Sequence, residues 1–171
     1  MMKKDTKEAN LTFHWGYIIL PLAIFILSVI LIAFFYRLLP SEVAYKFQSD
    51  GSPEKWLSRN AIILWTIIPQ LIFVILAGAI TMGMSMLSRR FIQPGSTGIK
   101  PERVISLMGN MVVLPQLILC FAMLDIFSYN SYQVHLLPLW AIALIVVIIG
   151  SIILGVLFFQ TIRQAQRVIK E

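Results

Sequence analysis

Charge is what this chain has least of. Asp, Glu, Lys and Arg make up 13% of its 171 residues, against 58% hydrophobic residues. Soluble globular chains carry about a quarter charged residues. The shortage, with a mean hydropathy of +0.84, excludes an ordinary soluble domain. Cysteine is scarce too: Cys120 stands alone, in an apolar run. That excludes an intramolecular disulfide and a thiolate metal cluster, and the thiol reads as a packed apolar side chain. The two histidines, His14 and His135, fall on opposite sides of the bilayer in the topology derived below, so they share no metal. Walker, Rossmann, His-Glu-x-x-His and Gly-x-Ser-x-Gly strings are missing. No catalytic residues, metal or cofactor are expected, and the chain does not read as an enzyme.

Long uncharged runs are abundant. Four stand out: Gly16 to Tyr36, Ala61 to Leu87, Val104 to Leu124 and Leu136 to Ile162. At about 1.5 Å per residue they reach roughly 31 to 40 Å, enough to cross a hydrocarbon core of about 30 Å. They lack the alternation of barrel strands, and lipid offers no partner for free backbone groups, so each is expected to be a helix. The expected fold is all-α and integral to the membrane. It is a single membrane domain over 1–171, a four-helix bundle with spans near 16–36, 61–87, 104–126 and 136–162. The first run is longer than a signal-peptide core and lacks a clear small-x-small cleavage site, so it reads as an uncleaved anchor.

Lys and Arg set the orientation. Ten of them (Lys3, Lys4, Lys7, Arg89, Arg90, Lys100, Arg103, Arg163, Arg167 and Lys170) fall on the side of both termini and the second loop. Four, Arg37, Lys46, Lys55 and Arg59, fall on the other side. The positive-inside bias puts both termini in the cytoplasm of a multi-pass protein of the cell membrane, and the first loop outside. The net charge of +6 is mostly this topogenic charge and calls for no nucleic-acid partner.

That first loop is patterned. Val43, Tyr45 and Phe47 alternate with polar neighbours like a half-buried extended segment. Asp50-Gly51 and Ser52-Pro53 are turn dipeptides. Trp56 would meet the membrane interface, with Arg59 among the headgroups. A compact, ordered extracytoplasmic loop is expected. The string Leu39-Pro40-x-x-Val43-x-x-x-Phe47-x-x-x-Gly51-x-Pro53-x-x-Trp56-x-Ser58-Arg59, set between two spans, resembles the DUF1648 domain, over roughly residues 20–70. That family of bacterial and archaeal membrane proteins includes the immunity protein for a sporulation-delaying toxin. Ala44, Lys46, Gln48 and Glu54 stand where its pattern has proline, histidine, asparagine and aspartate. The resemblance implies a small multi-pass protein whose loop is a recognition element, without enzymatic activity.

The helix interiors carry fewer signals. Thr66, Gln70, Ala77, Thr81 and Ser85 form a small-and-polar stripe on the second helix, expected to face other helices, and Pro69 predicts a kink there. Asp125, near the outer end of the third helix, is expected to pair with Arg37 or Arg59 or with water, with a proton or substrate role as the alternative. Ala79-x-x-x-Gly83 and Ser151-x-x-x-Gly155 are expected to pack within the monomer. Pro-Gln-Leu-Ile occurs at 69–72 and again at 115–118, a four-letter match whose flanks do not align.

The functional expectation is a recognition, immunity or signalling component. Its outer face would combine Pro40, Val43, Phe47, Gly51, Pro53 and Trp56 with Arg37, Arg59 and Asp125, to meet an extracellular peptide, a lipid headgroup or another membrane protein. The alternative is a small transporter or channel subunit with a polar path along Thr66, Gln70, Thr81 and Asn110, which requires an oligomer.

Overall fold

The computed structural model describes residues 14–48, 50–91 and 101–169. Lys3, Lys4, Lys7, Lys100 and Lys170 of the orientation count fall outside them. The chain is mostly helical. A short 3-10 turn, Trp15–Tyr17, leads into α1 (Ile19–Phe35); strands β1 (Glu42–Phe47) and β2 (Pro53–Ser58) follow; then come α2 (Arg59–Phe91), α3 (Pro101–Met111), α4 (Val113–Tyr132) and α5 (Leu139–Ile169). Among the described residues, two helices, Arg59–Leu87 and Val104–Tyr132, are long and apolar enough to cross a membrane; the second counts α3 and α4 together through Val112. α1 is a shorter apolar helix, and Leu139–Ile153 is an apolar stretch within α5.

The elements depart from the expected spans for identifiable reasons. The third run is two helices rather than one, because Pro115 has no N–H for the carbonyl four residues back, at Met111, and the chain breaks at Val112. α4 then runs to Tyr132, well past the expected end near 126. Its polar residues Asp125, Ser128 and Asn130 are helical, and Asn130 Nδ2 donates to the Ile126 carbonyl at 2.8 Å. Gln133 closes the helix in the left-handed conformation at φ 58°, with its N–H on the Tyr129 carbonyl. By contrast, α2 continues through Pro69.

Two clusters hold the bundle. Near the hairpin, Phe35, Leu39, Val43, Ile62, Cys120, Met123 and Phe127 pack together, and the Phe35 and Phe127 rings lie 5.8 Å apart. Farther along, Ile18, Ala77 and Val112 join the start of α1 to α2 and to the α3–α4 break. Gly109 makes that approach possible, since a Cβ there would collide with the Tyr17 carbonyl oxygen and the Thr81 methyl. α5 rests on α4 through Gly150, where an added Cβ would come within 2.8 Å of Leu114 Cδ1.

The two small-residue pairs are not used in this packing. Ala79, Gly83, Ser151 and Gly155 are exposed, and nothing lies within 4 Å of a Cβ built on either glycine. Gly150, one position before Ser151, makes the close approach instead, against Leu114 of α4. The surrounding outward surface is apolar: Ile30, Phe34, Ile75, Ile148 and Ile152 are all exposed. A continuous apolar surface of this extent suits a lipid environment.

Candidate functional site: a braced hairpin at one end of the bundle

β1 and β2 pair antiparallel, with Glu42 opposite Ser58, Val43 opposite Leu57, Ala44 opposite Trp56 and Phe47 opposite Pro53, and an irregularity around Lys46. The turn follows from its residues. Gly51 takes φ 84°, which costs glycine little and any L side chain more. Asp50 Oδ1 accepts from the Ser52 amide at 2.9 Å and from its hydroxyl at 2.7 Å. These two bonds, the amide's first, hold the Asp50 carboxyl below its usual range. Lys46 Nζ lies 2.8 Å from the Glu54 carboxylate across the hairpin, and that hydrogen bond lowers the Glu54 pKa.

Three contacts brace the hairpin against the helices. Asn130 of α4 accepts from the Ala44 N–H and donates to the Ala44 carbonyl, each at 2.8 Å. Phe47 meets the Tyr129 and His135 rings edge-on, at 4.7 and 4.6 Å, while Tyr129 and His135 stack at 4.5 Å. Arg59, at the start of α2, donates to the Tyr36 and Leu39 carbonyls and lies over the Tyr36 ring at 4.7 Å.

The residues expected to form one outer face therefore divide. Trp56, Pro40 and Arg37 are exposed, and Pro53 and Gly51 are half-buried. Val43 is a core residue with no exposure, because its side of β1 turns into the cluster around Phe127. Phe47 is half-buried in the aromatic group, and Arg59 is a brace. Asp125 corrects the expectation most plainly. It pairs with neither Arg37 nor Arg59: Oδ2 lies 3.2 Å from His135 Nδ1, and Oδ1 accepts the Leu136 N–H at 2.8 Å. The turn at Gln133 folds 135 and 136 back onto α4 and brings these donors to it. Asn130, Tyr129 and His135 were absent from the expected set. Ser128-Tyr129-Asn130-Ser131 has the composition of a loop, so nothing in it flagged a helix face.

The polar side chains of the alternative path are engaged within the bundle. Gln70 and Gln116 are fully buried; Gln70 Nε2 donates to the Gln116 carbonyl at 3.3 Å and Gln116 Nε2 to the Pro21 carbonyl at 3.0 Å. The two Pro-Gln pairs thus meet in space. Neither amide oxygen has a donor among the described residues. Thr81 bonds the Ala77 and Gly78 carbonyls, and Thr66 that of Ile63. Asn110 Oδ1 accepts the Leu20 N–H at 3.1 Å and so caps α1, which has no cap of its own.

Fold and site define a mostly helical protein with candidate membrane-spanning helices and a small β-hairpin seated on one end of them. No family model, curated protein or solved structure matches the chain. Among the described residues, no group of three or more His, Cys, Asp or Glu could hold a metal ion.

Proposed function

We propose that this is a non-enzymatic, four-span membrane protein with both termini in the cytoplasm, and that the hairpin end is an extracytoplasmic recognition surface. One observation carries the reading. The hairpin is fixed on the bundle by Asn130, by the Phe47 aromatic group and by Arg59, yet Trp56 stands 52% exposed on it. A rigid platform presenting an aromatic anchor is the arrangement that binds a partner at low entropic cost. The resemblance of the same stretch to the DUF1648 pattern, with its immunity branch, points the same way and makes an extracellular peptide the natural ligand class.

The transport reading has less support, because Thr66, Gln70, Thr81 and Asn110 spend their hydrogen bonds on helix carbonyls and amides. The recognition reading predicts that cells making the full chain gain protection against, or a response to, an added extracellular peptide. Trp56→Ala and Arg37→Ala should remove that effect at unchanged membrane levels. Variants that act like the parent would reject the hairpin surface as the recognition element.

A further inference from the structure

Resting on the four-span reading above, we propose that the connector between α4 and α5, residues 132–140, is embedded in the outer leaflet of the bilayer and fixes the hairpin end at its surface. Connectors are ordinarily polar. Between Asp125 and Arg163 this chain has no Lys, Arg, Asp or Glu, although α4 ends and α5 begins within that stretch. Every residue from 132 to 140 is exposed, and six are large and apolar: Tyr132, Val134, Leu136, Leu137, Leu139 and Trp140, at 40 to 68%. The polar contacts of the turn are made inward, to α4. Asp125 lies 3.2 Å from His135 Nδ1 and accepts the Leu136 N–H at 2.8 Å, and the His135 ring stacks on Tyr129.

Two observations name lipid as what covers this segment. The first is continuity. Trp140, Leu144, Ile148 and Ile152, spaced four apart on α5, are all exposed and make one apolar stripe that runs from the connector along the outward surface of the bundle. What solvates the stripe of a spanning helix is lipid, and it meets the connector at the stripe's end. The second is a ring of aromatic side chains. Each helix that reaches this end carries one exposed there: Tyr36 closing α1, Trp65 on α2, Tyr132 ending α4 and Trp140 near the start of α5. The contacts of three of them keep the ring at the hairpin end. Tyr132 packs on Phe35 with centroids 6.1 Å apart, Tyr36 lies under Arg59, and Trp65 is 6.4 Å from Tyr45 of β1. Trp and Tyr collect at the headgroup level of a bilayer, and this belt passes through both ends of the connector.

The backbone of the connector sets its depth. Gln133 gives its N–H to the Tyr129 carbonyl and Leu136 gives its own to Asp125, while Pro138 has none to give. Among the described residues, the amides of Val134, His135 and Leu137 have no protein partner. They need water, which the hydrocarbon core does not hold. The connector therefore lies at the boundary of headgroups and acyl chains, with its apolar side chains directed into the leaflet. Recognition at this end is left to the hairpin, close above the membrane surface.

The test uses the full chain in two measurements. In intact cells, single cysteines at Leu137 and at Lys55 on a Cys120→Ala background are labelled with a membrane-impermeant thiol reagent. In vesicles, with Trp15, Trp56 and Trp65 changed to Phe, Trp140 emission is followed against aqueous acrylamide and against phosphatidylcholine brominated on its acyl chains near the headgroup. The expected result is labelling at 137 at least about tenfold slower than at 55, since an apolar surrounding disfavours the reactive thiolate. Trp140 emission should be lost to the brominated lipid and largely kept in acrylamide. Labelling at 137 as fast as at 55 would put the connector in water and overturn the proposal, with the hairpin reading intact. Slow labelling at 137 without loss of Trp140 emission to the brominated lipid would mean that protein covers the connector, and would overturn it too. If both cysteines react only after permeabilisation, the orientation fails and the outer-leaflet placement fails with it.

Discussion

Replacing Asn130 should detach the hairpin from the bundle without unfolding the helices. Its carboxamide makes two hydrogen bonds of 2.8 Å to Ala44, which has no exposed surface, so water cannot take over either bond. A buried hydrogen bond contributes about 1 kcal/mol net, and a buried group left unpaired costs about 1–3 kcal/mol. Asn130→Leu orphans both the N–H and the carbonyl of Ala44, so a loss of about 2–4 kcal/mol in the local closing equilibrium follows. At about 1.4 kcal/mol per factor of ten, hydrogen exchange at the Ala44 amide should speed up by roughly 30- to 700-fold. Asn130→Asp is the sharper variant, because it keeps the acceptor for the Ala44 N–H and sets a second oxygen against the Ala44 carbonyl. It should destabilise the hairpin at least as much as leucine does. The assay is exchange measured by mass spectrometry or NMR on the protein in detergent, with α2 amides as the internal reference. Exchange at Ala44 changed by less than threefold in both variants would refute the clamp.

Further expectations come from other contacts. Gly109→Ala should destabilise by about 1–3 kcal/mol despite alanine's better helix propensity. The new Cβ meets the Tyr17 backbone oxygen, which cannot rotate away, and an unchanged or raised melting temperature would contradict that packing. Gln70→Leu should cost less than about 1 kcal/mol, since it removes one long hydrogen bond together with an unpartnered buried oxygen. A loss beyond about 2 kcal/mol in detergent unfolding would mean that this oxygen has a partner in the folded protein. The Glu54 pKa is lowered in the folded chain by the Lys46 hydrogen bond, so the contact stabilises the hairpin above the unfolded carboxylate's pKa. That contribution is lost as pH falls through the lowered folded value. Asp50, held low by Ser52, loses its contribution in the same direction. Trp56 emission should therefore report hairpin loosening as the pH turns acid; Glu54→Gln should reduce that change, and Glu54→Gln with Asp50→Asn should flatten it.

How legible these features were depended on how local their cause was. The turn at Gly51 and the extended run Val43, Tyr45, Phe47 are written in neighbouring residues, and they are the turn and the first strand of the hairpin. The buried face of α2 was legible from the spacing of Gln70, Ala77, Thr81 and Ser85. What was missed depends on contacts between residues far apart in the chain. Asn130 reads as a loop residue until α4 carries it to Ala44, 86 positions away in sequence. Asp125 was matched to arginines by level in the bilayer, but its partners come from a connector that doubles back at Gln133. The Pro-Gln repeat looked accidental because flanking alignment tests descent, whereas what joins the two copies is a helix contact.

The central claim is that the hairpin end faces outward and is available to a partner. It is tested most directly by labelling intact cells with a membrane-impermeant thiol reagent, on a Cys120→Ala background with single cysteines at Lys55 and at Glu102. The account predicts labelling at position 55 in intact cells, and at position 102 only after permeabilisation. Labelling at 102 but not at 55 in intact cells would place the hairpin in the cytoplasm and contradict it.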